Sequence, residues 1–363
     1  MRFAMVVLAL VGLAVTVPAQ EQQGKKKKKA KTESTQVDLV PHEAARLFTA
    51  EEPIQFKLTA NFGRLRRDKS QDSPWRAATI TIADSTGADV EVPLKVKTRG
   101  IWRLNNCDFP PIRLDFQKSS VKHSIFAKLD KPKLVTHCKD SDEGEQWLLQ
   151  EMQLYRVDNL LTRYSHRVRL AHVIYADSAS GKMVAKRYAF IEEEPTELAH
   201  RVGGMIMQGQ GAGPADLEPM QAAIFFLFQY FIGNTDWSVA GQHNVELITS
   251  DTGLYVPIAY DFDFSGAVNT RYAVTDSRLP IRRVRDRLYR GYCLAPTVYG
   301  PTFDLFRAKK DSIYALYHDA IGGRLEGQKV KETLEYFDEF YKTINDAREA
   351  KKEIIERCLP GVS

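Results

Sequence analysis

The chain has 363 residues, 44% hydrophobic and 27% charged, a composition that excludes a fibrous or fully disordered protein. Its formal net charge is +5, and the five consecutive lysines at residues 25–29 account for all of it. The rest of the chain is therefore close to neutral, which removes the main support for a nucleic-acid-binding role.

Residues 1–19 have the pattern of a secretory signal peptide, with one early arginine, an uncharged apolar run and small residues before a cut after Ala19. The apolar run is shorter than the roughly 20 residues that span a bilayer, which favours cleavage over an uncleaved membrane anchor. Residues 20–40 are polar and lysine-rich and predict a disordered linker. We therefore expect an exported, periplasmic or extracellular protein without a transmembrane segment after cleavage.

The four cysteines are Cys107, Cys138, Cys293 and Cys358, and no two form a C-x-x-C pair. This spacing argues against zinc binding and thioredoxin-type chemistry. An exported chain with an even number of cysteines favours disulfides, and four cysteines allow three pairings. Cys107 and Cys138 flank one β-rich region, so that pairing is the first expectation. Cys293 and Cys358 would then tie down the C-terminal helix.

Short strands and turns are predicted from about residue 54 to 138, because apolar and polar residues alternate there. Residues 145–164 change to the spacing of an amphipathic helix. Two further strands, residues 167–177 and 183–193, complete this first half of the chain.

The second half is mostly helix and loop. Residues 200–216 carry five glycines and predict a loop. Residues 217–234 are strongly apolar, and their short length and acidic ends favour a buried core helix over a membrane span. Two strands follow, residues 244–250 and 254–260, and amphipathic helices fill the chain from about residue 300. The order predicts an α+β fold with two lobes, a β-rich one over residues 41–194 and a mostly helical one over residues 195–363.

Three polar side chains, those of Asp236, Asn244 and Asp261, are expected to meet around the predicted hairpin. Asp236 follows the apolar helix, Asn244 lies at the entrance of the first strand, and Asp261 and Asp263 lie at the exit of the second. In an antiparallel pair, the entrance of one strand and the exit of the next are neighbours. Converging carboxylate and carboxamide oxygens suit a hard cation such as Mg²⁺ or Mn²⁺.

This layout is that of kinase catalytic machinery, and the chain resembles the secreted atypical kinases of the CotH (spore coat protein H) type. The resemblance spans roughly residues 95–270 and consists of the order and character of the segments. The segments that carry it are VKTRGIWR (96–103), FPPIRLDF (109–116), LVTHCKDSDEGEQWLLQEMQLYRVDN (134–159), GKMVAKRYAFIEE (181–193), FIGNTDWSVAGQHN (231–244) and VPIAYDFDFSG (256–266).

The resemblance implies a two-lobed atypical protein-kinase-like fold that binds ATP and Mg²⁺ or Mn²⁺ and phosphorylates a protein hydroxyl. Asp236 matches the catalytic base and Asp261 the metal-binding aspartate. Asn244 matches the metal-binding asparagine, and Asp263 lies where it can assist.

The same resemblance implies a nucleotide site in the β-rich lobe. Arg99 or Arg113 would supply the cation for the phosphates, and Glu151 would orient that cation. Backbone groups from Ile191 to Glu193 would face a purine.

Other interpretations of these residues stay open. Taken singly, Asp236 is typical of a turn cap, Glu151 of a salt-bridged helix residue, and the two arginines of surface ion pairs. The chain lacks a G-x-G-x-x-G loop and has Arg where a kinase usually has Lys, features that also suit a non-catalytic envelope or extracellular binding protein on the same fold. A metal-dependent hydrolase is a third possibility.

The arginine-rich segment is the stretch from residue 278 to 290, which holds six arginines. In a kinase-like fold it borders the substrate groove, where an acidic or phosphorylated protein partner could dock. The alternative is a solvated helix face whose arginines pair with Asp276 and Asp286.

Overall fold

The structure, a computed structural model, describes residues 41–209 and 211–360. The predicted signal peptide and linker lie outside the described residues. The strands are β1 (Ile54–Ala60), β2 (Arg76–Ala83), β3 (Asp89–Thr98), β4 (Ile112–Phe116), β5 (Lys133–Thr136), β6 (Val168–Asp177), β7 (Met183–Glu192), β8 (Val245–Thr249) and β9 (Tyr255–Ala259). The helices are α1 (Phe62–Leu65), α2 (Trp102–Asn106), α3 (Lys118–Val121), α4 (Asp142–Leu161), α5 (Pro195–Val202), α6 (Pro219–Ile232), α7 (Pro296–Ala315), α8 (Gly327–Asn345) and α9 (Ala347–Ala350), with 3₁₀ turns at Arg46–Phe48, Pro214–Asp216 and Gly322–Arg324 and a π-helical turn at Lys351–Ile355.

Seven strands form a closed barrel in the order β1-β2-β3-β4-β5-β7-β6. All neighbouring pairs are antiparallel except β1 with β6, which run parallel from Ile54↔Ala171 to Ala60↔Asp177 and close the sheet. Since β1 pairs on both sides, it leaves no open edge.

Alternation along the strands decides which side chains fill the barrel. On β7, Ala189 and Ile191 face the barrel interior, while Phe190 between them packs outward against the helices. The neighbouring strand β5 divides in the same way, with Leu134 inside and Val135 outside. Strands with two apolar faces are therefore those covered by helix on the outside.

The predicted fold class, an α+β fold with two kinase-like lobes, is wrong. The finding that overturns it is the closed seven-stranded barrel with helices packed against it. Alternation reveals that each strand has one buried face, but strand order and closure depend on backbone pairing between distant segments. The parallel pairing of β1 with β6 joins strands that more than 100 residues separate, and no local pattern reports it.

Helix α4 lies between the barrel and the later helices. Ser141 caps it, since its Oγ accepts from Gly144 N at 3.1 Å, and three acidic residues of the first turn complement the helix dipole. This cap places the start three residues before the predicted residue 145. Gln150 donates to Thr333 Oγ1 of α8 at 3.1 Å, and Gln153 donates to Leu316 O at 2.8 Å. One apolar core thus continues from α4 through α6, α7 and α8.

Helix α6 is the buried core helix that the sequence predicts. Every side chain from Ala222 to Ile232 is buried, and Gly233 ends the helix in the left-handed conformation at φ 64°. Among the described residues, no helix combines the length and the apolar character needed to cross a membrane.

Two disulfides confirm the expected pairing. Cys107 is bonded to Cys138, and Cys293 is bonded to Cys358. The first bond joins the end of α2 to the segment before α4, and the second ties the chain before α7 to its C-terminal segment. Such bonds are typical of proteins that fold in oxidising compartments.

Candidate functional site

The β8–β9 hairpin brings its two ends together as the sequence predicts. Val245 pairs with Ala259, and Tyr260 N donates to Asn244 O at 3.3 Å. Asn244 and Asp261 both have positive φ, 51° and 61°, a conformation that Asn and Asp tolerate better than most residues. At each of these two residues the backbone therefore turns away from its strand, beside the end of the partner strand.

Asp236 is held at the entrance of this hairpin by two neighbours. Asn244 Nδ2 donates to Asp236 O at 2.8 Å and to its Oδ2 at 3.1 Å. His243 Nε2 lies 2.9 Å from the other carboxylate oxygen, Oδ1. The side chain of Asp236 remains 42% exposed, so a ligand can reach the carboxylate. A fixed, accessible carboxylate is what a general base requires.

Arg103 joins the acidic residues at the other end of the hairpin. It lies on the short helix α2, and its Nη2 is 2.8 Å from Asp263, 2.9 Å from Asp261 and 3.3 Å from Glu151. Tyr272 Oη donates to Asp263 Oδ2 at 3.0 Å. We call Arg103, Glu151, Asp261 and Asp263 the charged cluster.

Burial sets the proton affinities in the charged cluster. It raises the pKa of Asp263 well above the usual range, although Arg103 opposes the shift. Burial also raises the pKa of Glu151 to about 7, again against Arg103. Burial acts in the same direction on Asp261, but the positive charges of Arg103 and Arg99 outweigh it and lower its pKa. Asp261 is therefore the anionic member of the cluster.

The donor set of the charged cluster suits a hard cation, with one condition. One ligand oxygen from each of Glu151, Asp261 and Asp263 lies within 4.8 Å of the other two. Because one nitrogen of Arg103 contacts all three, an ion at their centre requires Arg103 to move. Asp261 is 32% exposed, whereas Asp263 is 6% exposed, so Asp261 fits an ion at the open edge that keeps waters as further ligands.

Asn244 is the third predicted metal ligand, and only the nitrogen end of its carboxamide is bonded to a described residue. Its Nδ2 is bonded to Asp236, whereas no described residue donates to its Oδ1. The structure thus brings Asp261 and Asp263 together and joins Asn244 to Asp236, with the hairpin backbone linking the two groups.

Arg99 and Arg113 are predicted to bind phosphate; Arg99 directly follows β3, and Arg113 lies on the adjoining strand β4. Each is half-buried, and in the described part of the chain neither Nε has a hydrogen-bond partner. Arg113 lies opposite Lys133 in the β4–β5 ladder, and Lys133 is 2.5 Å from Glu192. Burial lowers the pKa of Arg99, and Arg103 adds to the effect. Half-buried guanidinium groups without partners favour an anionic ligand.

Glu151 contacts neither of these arginines. It pairs with Arg103, a residue that sequence reasoning missed, although Arg103 lies only four positions beyond Arg99. The signal was weak because α2 is five residues long and its position depends on the Cys107–Cys138 bond that follows it.

The two residues predicted to face a purine, Ile191 and Glu193, lie in different surroundings. Ile191 lies in the barrel interior, paired with both Leu134 and Arg169, and is fully buried. Glu193 accepts two bonds from Arg201, at 2.8 and 2.9 Å, and its own backbone N donates to Arg167 O. Glu193 also lines an open pocket of about 360 Å³, whose wall includes Arg113, Lys133 and Glu246.

A second pocket, of about 380 Å³, opens beside Asp236. Its wall consists of Thr235, Asp236, Trp237, Ser238, His243, Phe264, Val274, Asp276, Arg278 and Arg290. The pocket places the Asp236 carboxylate, aromatic surface and two guanidinium groups around one space, which suits a polar acceptor group on a larger molecule.

The arginine-rich segment is largely engaged within the protein. Arg278 pairs with Asp276, and Arg283 pairs with Asp286. Arg290 donates to the backbone oxygens of Thr235 and Trp237, on either side of Asp236. The segment thus pairs internally and supports the loop that carries Asp236.

Comparisons with models of known protein families and with curated protein sequences find no match for this chain.

Proposed function

We propose that the protein is an exported, ATP- and metal-dependent phosphotransferase that acts on a protein hydroxyl. The observation that carries the proposal is the hairpin junction, where Asn244 bonds to Asp236 with its side chain and to Tyr260, the residue before Asp261, with its backbone. One junction thus links the accessible Asp236 carboxylate to the strand end that leads into Asp261. The order of motifs that resembles CotH-type kinases supports the chemistry, and the proposal concerns the site alone.

Each side of the site has a role in this chemistry. Asp236 accepts the proton of the acceptor hydroxyl, with His243 and Asn244 fixing its carboxylate. Arg99 and Arg113 bind the phosphates, because their guanidinium groups have no other partner among the described residues. Such a site accelerates transfer by positioning and by neutralising charge.

Asp261 is the residue best placed to hold Mg²⁺ or Mn²⁺, with Asn244 Oδ1 available nearby. The ion, when bound, neutralises charge on the phosphates. Asp263 and Glu151 keep Arg103 in place at the inner side, so their part in the site is to fix this cation close to Asp261.

An exported location fits the proposal. The two disulfides agree with folding in an oxidising compartment, and the signal-peptide pattern at residues 1–19 gives the route. The phosphoacceptor is then a protein of the envelope or the extracellular space.

A second candidate function is non-catalytic binding of a partner protein. Arg103 favours it, because its guanidinium already contacts all three carboxyl groups that would otherwise attract a metal ion. Under this alternative the charged cluster is a structural feature, and the protein needs neither nucleotide nor metal.

Isothermal titration of the mature chain with ATP, in the presence and absence of Mn²⁺, tests the proposal. We expect Mn²⁺-dependent binding that Asp261→Asn weakens at least about tenfold and that Asp236→Asn leaves within about threefold. Binding of Mn²⁺ without ATP points to a hydrolase. Binding of neither ligand by a folded wild-type chain supports the non-catalytic alternative.

A further inference from the structure

Tyr336, on α8, has an environment that the proposed site does not explain. The residue is 1% exposed, and its hydroxyl is buried without a hydrogen-bond partner in the described part of the chain. A buried polar group without a partner destabilises a protein, so its retention calls for a physical reason. The reason lies in what the hydroxyl end of the ring touches.

The ring of Tyr336 ends between two glycines, Gly233 and Gly266. At Gly266, a Cβ would lie 2.5 Å from the Tyr336 hydroxyl oxygen, and a Cβ at Gly233 would overlap the same atom. Only glycine therefore fits at either position. Gly266 N donates to Gly233 O at 3.0 Å, and Ala267 N donates to Ile232 O at 3.0 Å, so the two segments also bond to each other.

These two glycines belong to the two loops that carry the site. Gly233 lies three residues before Asp236, and Gly266 lies three residues after Asp263. Contact with one buried ring thus fixes the spacing between the base and the charged cluster.

Two arginines of the arginine-rich segment hold the ring in place. The guanidinium of Arg287 lies 3.5 Å from the ring centroid, and that of Arg285 lies 4.6 Å away. Arg287 also donates to the backbone oxygens of Tyr336 and Phe231, the latter in the last turn of α6. The ring is thus stacked and its backbone is bonded, so it has little freedom to leave the two loops.

We infer that Tyr336 is a positioning residue that sets the distance between the Asp236 loop and the loop of Asp261 and Asp263. This inference rests on the proposed phosphotransfer for its functional meaning, but the spacing itself can be measured without any activity. The base lies on one loop and Asp261 on the other, while Arg99 and Arg113, which bind the phosphates in the proposed site, belong to the barrel. A wrong spacing between the two loops therefore impairs transfer more than nucleotide binding.

Tyr336→Leu tests the inference, with Tyr341→Leu as the matched control. Tyr341 lies on the same helix and is 2% exposed, and its hydroxyl bonds to Phe306 O, away from both loops. Both variants remove a buried ring and are compared at a temperature where both are folded. In Tyr336→Leu alone, we expect amide hydrogen exchange of Gly266 and Ala267 to rise at least about tenfold.

Kinetics then separates positioning from stability. We expect Tyr336→Leu to lower kcat at least about thirtyfold with KM for ATP within about threefold, and Tyr341→Leu to keep both constants within about threefold. Equal amide exchange in the two variants would overturn the inference that Tyr336 sets the spacing of the two loops. Unequal exchange with an unchanged kcat would overturn the functional role.

Conservative variants at the same contact remain interpretable if Tyr336→Leu does not fold. Tyr336→Phe keeps the ring and removes the partnerless hydroxyl, so we expect an equal or higher Tm. Gly266→Ala should lower Tm less in the Tyr336→Phe chain than in the wild type, since one of the atoms it meets has gone. An equal loss in both chains would contradict the contact. If Tyr336→Leu raises amide exchange as expected but the wild type shows no phosphotransfer, the proposed function is overturned and the inference about the spacing stands.

Discussion

The barrel interior and the charged cluster are both buried, but they are stable for opposite reasons. Inside the barrel, side chains such as Leu58, Leu114 and Ile191 are apolar and fully buried. In the charged cluster, Glu151, Asp263 and Arg103 are almost as buried, yet each carries or can carry a charge. The first region gains from any close packing, whereas the second is stable only while its charges balance.

The two regions therefore differ in how well they tolerate substitution. A barrel side chain can be shortened with a local loss of packing, because its neighbours are all apolar. Removing Arg103 would leave three acidic groups facing one another in a buried space. The charged cluster is therefore the more fragile region, although it contains far fewer residues.

Arg103→Met is expected to have the largest effect, a loss of about 3 to 5 kcal/mol in the free energy of unfolding. The loss arises because the Asp261 carboxylate loses its ion-pair partner, and the buried Glu151 and Asp263 lose the guanidinium that contacts them. Urea unfolding measures it, and Mn²⁺ should raise the Tm of this variant more than that of the wild type. Arg76→Met is the control, since Arg76 pairs with Asp68 near the surface, and we expect a loss of about 1 kcal/mol there. Equal losses of unfolding free energy in the two variants would show that burial of the charged cluster adds nothing to the cost of breaking an ion pair.

The two disulfides should be similar in stability and different in function. They close loops of 31 and 65 residues, so removing either one with paired Cys→Ala changes should cost about 3 to 4 kcal/mol. Loss of Cys107–Cys138 should also weaken ATP binding, because that bond follows the helix that carries Arg103. Titration with ATP and Mn²⁺ checks this. Equal weakening after loss of Cys293–Cys358 would argue against a local link.

Leu114→Ala should destabilise the barrel by about 3 kcal/mol without changing the site. Leu114 is fully buried among the apolar side chains of the barrel interior, so its truncation leaves a cavity there. Urea unfolding gives the loss, and titration with ATP and Mn²⁺ should give an affinity within about threefold of the wild type. A large loss of affinity would mean that the two regions are coupled.

Acid should destabilise the chain through His137, which is fully buried and packs on Phe109 with ring centroids 4.4 Å apart. Burial lowers the pKa of His137 to about 4, so the unfolded chain binds more protons than the folded chain between about pH 6.5 and 4. The contribution of neutral His137 to the free energy of unfolding is fully present above about pH 6.5 and falls by about 2 to 3 kcal/mol as pH drops to about 4.

Urea unfolding as a function of pH measures this smallest effect. His137→Leu should show a shallower loss of stability with acid, and His123→Leu, at an exposed position, should follow the wild type. Parallel curves for all three proteins would remove His137 as the cause.

Local chemistry allowed much of this molecule to be predicted. The helix expected at residues 145–164 is α4, the apolar helix is α6, and both disulfides pair as expected. The meeting of Asn244 with Tyr260, the residue before Asp261, followed from hairpin geometry alone, because strand entrance and exit are neighbours in any antiparallel pair. These features depend on short stretches of sequence.

The features that sequence reasoning missed depend on distant parts of the chain. The barrel closes only when β1 pairs with the distant strand β6. Glu151 pairs with Arg103 only when α2 packs against the charged cluster. Tyr336 reaches its two glycines from a helix about 70 to 100 residues further along the chain. The amphipathic spacing of that helix predicts a buried ring at this position but not the loops that the ring contacts. Tertiary contacts of this kind follow from packing and not from propensity.

The most direct test of the central claim is transfer of the γ-phosphate of ATP to protein hydroxyls, measured with radiolabelled ATP and Mn²⁺. An unfolded, Ser- and Thr-rich protein mixture serves as acceptor, and Asp236→Asn is compared with the wild type. We expect transfer by the wild type and a loss of at least about a hundredfold in the variant, with ATP binding unchanged. Equal transfer by both proteins, or none by a wild type that binds ATP, would contradict it.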